Sequence, residues 1–257
     1  MVHPELVIYQ DSEQLAAAAA ERISRAAAER IAARGRFTLC LTGGSTPRRT
    51  YTLLARQQGA AAIDWSRTFL FFGDERFVPP DDDRSNYNMV RQSLLQNAAI
   101  AADHVFAIPT HLSNPQQAAD EYAGTLKTFF GDSSAWPEFD LVLLGLGDDG
   151  HTASLFPGAA ALRVTDRWVA SSPPSVLPPP VDRVTLTFPV FNAARQVIFL
   201  VSGANKAEAF ADVYHGRASV EVRPAAGIRP ASGHTVWLVD RAAAGSLSGK
   251  REMRDER

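Results

Sequence analysis

The chain is poor in the residues on which several whole classes of protein depend. Its 257 residues include one cysteine, Cys40, so neither an internal disulfide nor a thiolate zinc site can be built, and nothing points to an oxidising compartment. With 26 basic against 28 acidic side chains the formal charge is -2, which provides no field for gripping a nucleic-acid backbone. No apolar run approaches the ~20 residues of a membrane span. The longest, Leu141 to Leu144 and Val197 to Val201, are strand-sized. Residues 1–10 lack the basic flank and apolar core of a signal peptide, so a cytoplasmic location is expected, with no membrane or nucleic-acid partner. Two catalytic signatures are also missing. There is no Gly-Lys-Ser/Thr ending of a nucleotide-triphosphate loop and no G-x-S-x-G nucleophile elbow. What remains, 46% hydrophobic and 21% charged, is the composition of a core-forming globular chain.

The order of elements predicts an α/β fold with a mostly parallel, doubly wound sheet flanked by helices and a few additional edge strands. Residues 11–33 are rich in Ala, Glu and Arg, with Leu15, Ile23 and Ile31 spaced for one helical face and Gly35 as the stop. Phe37 to Leu41 is uniformly apolar, as a strand buried on both faces should be. A helix is expected from Arg48 to Arg56, started by a Ser45 or Thr46 hydroxyl cap with Pro47 in its first turn. Further strands are read at 68–72, 140–144 and 196–201, and further helices at 86–95, 116–130 and 207–214. Strands alternating with helices imply parallel pairing through crossovers. Tyr9 and residues 168–170, 183–187 and 235–239 are additional strand candidates, some of them antiparallel at an edge. Residues 1–245 read as a single domain, 171–180 as an extended Pro-rich surface loop, and 246–257 as a frayed tail.

Four polar or glycine-bearing loops leave the carboxyl ends of apolar strands, where ligands of open parallel sheets bind. Gly43, Gly44, Ser45 and Thr46 form a candidate anion cradle at a helix start; a tight, well-capped turn explains the same residues. Gly73-Asp74-Glu75-Arg76 is a burst of charge after four apolar residues, either a solvated turn or, in the crevice, a guanidinium aimed at an anion. Lys206, at the start of a helix, is a second candidate phosphate partner beside its reading as an ordinary surface lysine. Asp81, Asp82 and Asp83 read as an exposed acidic loop, and no metal is expected.

Gly145-Leu-Gly-Asp-Asp-Gly150 matches the dinucleotide fingerprint in form only. Asp148 and Asp149 would oppose a pyrophosphate, Pro157 would end the crossover helix early, and no ribose-binding acid follows. A carboxylate beside His151 accounts better for the loop, giving a general base near neutral pH. The bland alternative is a histidine capping a helix that starts at Thr152. Which of Asp148 and Asp149 orients the imidazole is left open at this point. The other histidines, at positions 3, 104, 111, 215 and 234, carry no such setting.

Taken in order, these stretches resemble the 6-phosphogluconolactonases, within a wider group that includes glucosamine-6-phosphate deaminases and isomerases. The resemblance rests on Leu41-Thr-Gly-Gly-Ser-Thr-Pro47, Phe72-Gly-Asp-Glu-Arg-Phe-Val-Pro79 with Ser85-Asn86, the run from Leu144 to Gly158, and Arg183-Val-Thr-Leu-Thr-Phe-Pro189 through Asn192-Ala193. It implies hydrolysis of the δ-lactone of 6-phosphogluconate in the oxidative pentose phosphate pathway, without cofactor or metal and without a covalent intermediate. On this chain it implies that His151 activates water with support from Asp149. Gly43, Gly44, Ser45, Thr46, Asp74, Arg76 and Lys206 would form the phosphate and lactone site. The deaminases differ by an Asp-Glu-Tyr run where this chain has Asp74-Glu75-Arg76, and by Phe-Asn-Glu-Pro where it has Ser154-Leu155-Phe156-Pro157. A sugar-phosphate-binding regulator without turnover is the competitor from another class; it would have no need of the Asp149/His151 pair. The sequence does not set the oligomeric state, and a monomer is compatible with it.

Overall fold

The computed structural model describes residues 4–59, 62–131, 135–174 and 180–248. In chain order the elements are β1 (Glu5–Tyr9), α1 (Ser12–Arg34), β2 (Phe37–Leu41), α2 (Ser45–Arg56), β3 (Thr68–Phe72), β4 (Asp74–Arg76), α3 (Asn86–Val90), β5 (Val105–Phe106), α4 (Pro115–Phe130), β6 (Leu141–Gly145), β7 (Val169–Ser172), β8 (Arg183–Leu186), α5 (Phe188–Asn192), β9 (Gln196–Val201), α6 (Ala207–Tyr214), β10 (His234–Asp240) and α7 (Arg241–Ser248). Seven strands form one sheet in the order β1-β10-β9-β6-β2-β3-β5, with every pairing parallel. β2 is buried throughout, as an unalternating apolar strand between two helical layers must be. From β2 the chain goes to β3 and β5 on one side. From β6 it goes to β9 and β10 on the other. The strand order therefore reverses between β2 and β6, and a crevice opens at their carboxyl ends.

Local chemistry fixes both ends of this sheet. At the amino ends, the buried Asp140 carboxylate accepts from the Thr38 amide (3.0 Å), the Thr38 hydroxyl (2.9 Å) and Arg34 (2.8 Å). The Asp140 amide donates back to the same hydroxyl (2.9 Å), so the starts of β2 and β6 are stitched together. At the carboxyl ends, two buried tyrosines act alike. The Tyr51 hydroxyl accepts from the Thr42 amide (3.0 Å) and donates to its carbonyl (2.9 Å). The Tyr122 hydroxyl does the same for Phe72 (2.9 and 3.1 Å). Each phenol satisfies a strand-end peptide that the ladder has stopped pairing.

Several expectations are corrected. α2 begins at Ser45 and not Arg48, and its N-cap is Gly44 (φ 116°), with no hydroxyl cap: Ser45 and Thr46 lie inside the first turn. The helix expected over 86–95 is α3 followed by a single π turn, Arg91–Leu95. No helix starts at Thr152; that residue bridges to Leu155, and its hydroxyl donates to the Gly145 carbonyl (2.8 Å). The charge burst at 74–76 is strand β4, which pairs with β8 and through it with β7 in a separate antiparallel sheet. Residues 169–172 and 183–186 therefore do not lie on an edge of the main sheet, while residues 235–239 lie inside it. The loop read at 171–180 starts with the end of β7, and its residues 175–179 lie outside the described residues. α7 runs through Ser248, past the expected tail start, and residues 249–257 are outside the described residues. The α1 expectations hold, with Asp11 accepting from the Gln14 amide and Gly35 as C-cap at φ 76°.

Replacing Tyr51 by Phe would strand the Thr42 N–H and carbonyl in the core. Tyr51→Phe is expected to lower unfolding stability by about 1–3 kcal/mol, measured by urea titration; a variant as stable as the parent would show that the hydroxyl is dispensable.

Candidate active site

Loops from β2, β3, β6 and β9 meet at the crevice. After β2, Gly43 packs so closely on the Asn86 carboxamide that a Cβ there would overlap Asn86 Oδ1 and stand 2.7 Å from its Cγ. Gly44 then caps α2 without a side-chain acceptor, which leaves the first amides of a twelve-residue helix facing the crevice rim with the positive end of its dipole. The turn is built of backbone, with Gly43 and Gly44 ahead of the helix and Ser45 and Thr46 in its first turn.

After β3, Asp74 and Glu75 are buried, which a solvated turn would not allow. Asp74 accepts from Ser154 Oγ (2.6 Å) and from Asn86 Nδ2 (3.3 Å). Asn86 Nδ2 also donates to the Asp74 carbonyl (3.0 Å). Glu75 receives the amides of Arg76, Asn86 and Tyr87 (2.7 Å each) and the Ser85 hydroxyl (3.0 Å), so it closes the start of α3. Burial pushes its carboxyl up to about 7, helped by the Asp74 charge and opposed by those three amides. Arg76 donates through one terminal nitrogen to the Arg84 carbonyl (2.7 Å), while its Nε is buried without a partner among the described residues. A buried guanidinium N–H left in this state is what an anion-binding group offers.

The β6 loop carries the imidazole. Asp149 Oδ1 receives both the His151 amide (3.0 Å) and His151 Nδ1 (2.6 Å). The pair fits only because residue 147 is glycine: a Cβ there would overlap His151 Nδ1 and Cε1 and lie 2.7 Å from Asp149 Oδ1. The ring packs on Phe156 (4.7 Å between centroids), and no hydrogen bond reaches Nε2 among the described residues. Burial raises the Asp149 carboxyl, but the hydrogen bond and charge of His151 outweigh it and hold the group below the usual carboxylate range. Two residues on, Ala153 is the one non-glycine at positive φ (48°) among the described residues, which turns Ser154 toward Asp74.

The open question about the two aspartates has a geometric answer. Asp148 points away from the imidazole, to Lys206 Nζ and to Asn205 Nδ2 (3.0 Å) after β9. The hydrogen bond from Lys206 is the main reason its carboxyl is held low. The structure thus joins Asp149 to His151, Asp74 to the Gly43 loop through Asn86, and Asp74 to the His151 loop through Ser154. It records no hydrogen bond between Arg76 or Lys206 and His151. Among the other histidines, His104 Nδ1 sits against the Trp65 and Thr68 carbonyls (3.2 and 3.1 Å), a structural setting. The acidic loop is a turn in which Asp82 holds Arg84, an exposed pairing that keeps the carboxyl at about 2. Among the described residues no group of three or more His, Cys, Asp or Glu converges as metal ligands would.

Sequence reasoning missed Ser154 and Arg183 and gave Asn86 no role. Arg183 is buried, its guanidinium 5.6 Å from the Phe156 ring centre. Burial lowers its pKa, with Arg76 adding to the effect and Asp74 and Glu75 opposing it. The available signal was an arginine opening the apolar run Arg183-Val-Thr-Leu186, where a core strand tolerates charge only beside opposite charge.

Fold and site together define a doubly wound α/β protein with a helix start that has no side-chain cap and a carboxylate–histidine pair at its switch point. Residues 10–237 match the family model described as Glucosamine-6-phosphate isomerases/6-phosphogluconolactonase, and the chain belongs to that family. It is 43% identical to a 6-phosphogluconolactonase of Nostoc sp. over 84% of this chain and 86% of that one. It is 39% identical to one of Streptomyces coelicolor over 95% of each. Among solved structures, the 6-phosphogluconolactonase from Trypanosoma brucei superposes with a TM-score of 0.86 at 32% identity, covering 96% of this chain and all of that one. A monomeric glucosamine-6-phosphate deaminase shares the fold, with a TM-score of 0.80 at 22% identity.

Because the Asp149 carboxyl is lowered in the folded state, its pairing contributes stability that is present above the unfolded carboxylate value of about 4 and is lost as pH falls through the lowered folded value. Asp149→Asn is therefore expected to be less stable than the parent in urea at pH 6, and the gap should close toward pH 2. A gap that stays constant across this range would show that the carboxylate charge is not what His151 engages.

Proposed function

We propose that the chain hydrolyses 6-phospho-D-glucono-1,5-lactone to 6-phospho-D-gluconate, the lactone step of the oxidative pentose phosphate pathway, by water activated at His151 and without a covalent intermediate. The observation that carries this reading is the Asp149–His151 pair, seated over Gly147 at the switch point across from the Gly43–Thr46 cradle. The names borne by the Nostoc, Streptomyces and Trypanosoma relatives support it.

The chemistry follows from the tautomer. With Nδ1–H donated to Asp149, the lone pair lies on Nε2. Nε2 takes a proton from water as its oxygen bonds to C1 of the lactone, and the carbonyl becomes a tetrahedral oxyanion. When that intermediate collapses the C1–O5 bond breaks, and the imidazolium returns its proton to O5, leaving a carboxylic acid and a free hydroxyl. Asp149 stabilises the transient imidazolium and keeps the ring from turning. The α2 amides and the guanidinium of Arg76 supply donors for the phosphate and the oxyanion, and Lys206 supplies a second cation. Asp74 holds the two loops in register. A deaminase or isomerase would need an acid where this chain has Phe156, whose ring here packs on the His151 imidazole instead.

Proton release from freshly made lactone, compared with the spontaneous rate, is the test. The parent should accelerate it, and His151→Ala should lose about 100- to 10,000-fold in kcat while still binding inorganic phosphate. Equal rates for both would move the base elsewhere, and no acceleration by the parent would end the lactonase reading. Gly147→Ala should fold, yet lose at least about 100-fold in kcat with a smaller change in KM, since the added methyl displaces the imidazole and not the anion cradle. A loss confined to KM would place Gly147 in substrate binding instead.

A further inference from the structure

Asp148 occupies an unusual position for an acid beside an anion site. Its carboxylate takes Lys206 Nζ and Asn205 Nδ2, yet its own side chain is 55% exposed while that of Lys206 is 22% exposed. The lysine is thus held against the loop by a group that is free to swing into solvent. The loop does not depend on that contact for its position. The Gly150 carbonyl accepts from the Ala225 amide (2.9 Å), and Gly150 packs on Arg223, whose Cβ would lie 2.9 Å from a Cβ at residue 150. Arg223 is itself fixed to Asp212 of α6 through Nε (3.2 Å) and a terminal nitrogen (3.1 Å). On the other side, Gly147 donates its amide to the His151 carbonyl (2.8 Å). The carboxylate can therefore leave the lysine without unseating the Asp149–His151 pair.

We propose that Asp148 is an internal stand-in for the substrate's phosphate: it occupies the Lys206 ammonium in the free protein, must yield it when a phosphate monoester arrives, and so sets how tightly this site holds its substrate. The proposal rests on Lys206 contacting phosphate, as in the function proposed above. A carboxylate oxygen on an ammonium and a phosphate oxygen on the same ammonium are alternatives, because a dianion sharing Lys206 with Asp148 meets a like charge at close range. Removing that charge while keeping the shape of the side chain should strengthen anion binding, most at low ionic strength.

The experiment is calorimetric titration of inorganic phosphate into the full chain at low salt, for the parent, Asp148→Asn, Asp148→Glu, Lys206→Met and the Asp148→Asn/Lys206→Met double variant. Asp148→Asn is expected to bind phosphate about 3- to 10-fold more tightly, with KM for the lactone falling in step. Asp148→Glu should return affinity to near the parent's, and the tightening should be absent on the Lys206→Met background. Unchanged or weaker phosphate binding by Asp148→Asn, with binding lost in Lys206→Met, would overturn the stand-in while leaving the lysine's role intact. Tightening of the same size with and without Lys206 would reduce Asp148 to a diffuse repulsive charge and also overturn it. Parent-like phosphate binding by Lys206→Met would overturn the lysine's role and the stand-in together.

Discussion

A single buried carboxylate, Asp74, joins three segments that a parallel sheet brings to one rim without connecting them. Backbone pairing ends where the strands end, so the loops beyond would drift independently unless side chains tied them. Asp74 takes Ser154 from the β6 loop and Asn86 from the start of α3, and Asn86 in turn is pressed against Gly43 after β2. A buried carboxylate is tolerated only when its lone pairs are used and its charge is balanced. Hydroxyl and carboxamide donors meet the first need; Arg183 meets the second. Remove this hub and the cradle, the charged strand and the histidine loop each keep their own geometry but lose their relation to one another.

Around the hub each acid of the crevice has a basic neighbour: Asp149 has His151, Asp148 has Lys206, Asp212 has Arg223, and Asp74 and Glu75 lie beside Arg183. The chain's small net charge conceals this arrangement entirely. Each pairing confines a side chain that would otherwise sample many rotamers. Confinement also differs from pair to pair. His151 and Asp149 are about equally covered, whereas Lys206 is tied to an acid more exposed than itself.

The central strands β2, β6 and β9 were readable because they are buried on both faces and therefore unalternating, and because their loops carry polar residues at strand ends, whereas the two-residue edge strand β5 left no signal. The Asp149–His151 pair was readable too, as the two residues are neighbours but one in a glycine loop. What escaped was everything decided at long range. β4 is three residues long and pairs with β8 more than a hundred residues later, so no local period announces it. The burst Asp74-Glu75-Arg76 imitates a solvated turn because Ser154, which donates to it, and Arg183, which balances its charge, lie far along the chain. The two aspartates were indistinguishable locally; the contacts of Asp148 with Asn205 and Lys206, 57 and 58 residues away, tell them apart. The cap of α2 was misread for a different reason: two hydroxyl residues beside Pro47 satisfy every local rule, yet the backbone turns one residue earlier, at Gly44.

Gly73 stands between β3 and β4, donating its amide to Leu41 (2.9 Å) in the large sheet and accepting the Leu186 amide (2.8 Å) from the small one. The two sheets are therefore successive stretches of one extended run, with no linker between them. An enzyme built as two lobes on a flexible joint shuts over its substrate, and its speed is governed by opening and closing. Here the chain crosses from one sheet to the other at a single bent residue bonded to both, so any relative shift of the two sheets at this crossing has to break the Gly73 hydrogen bonds.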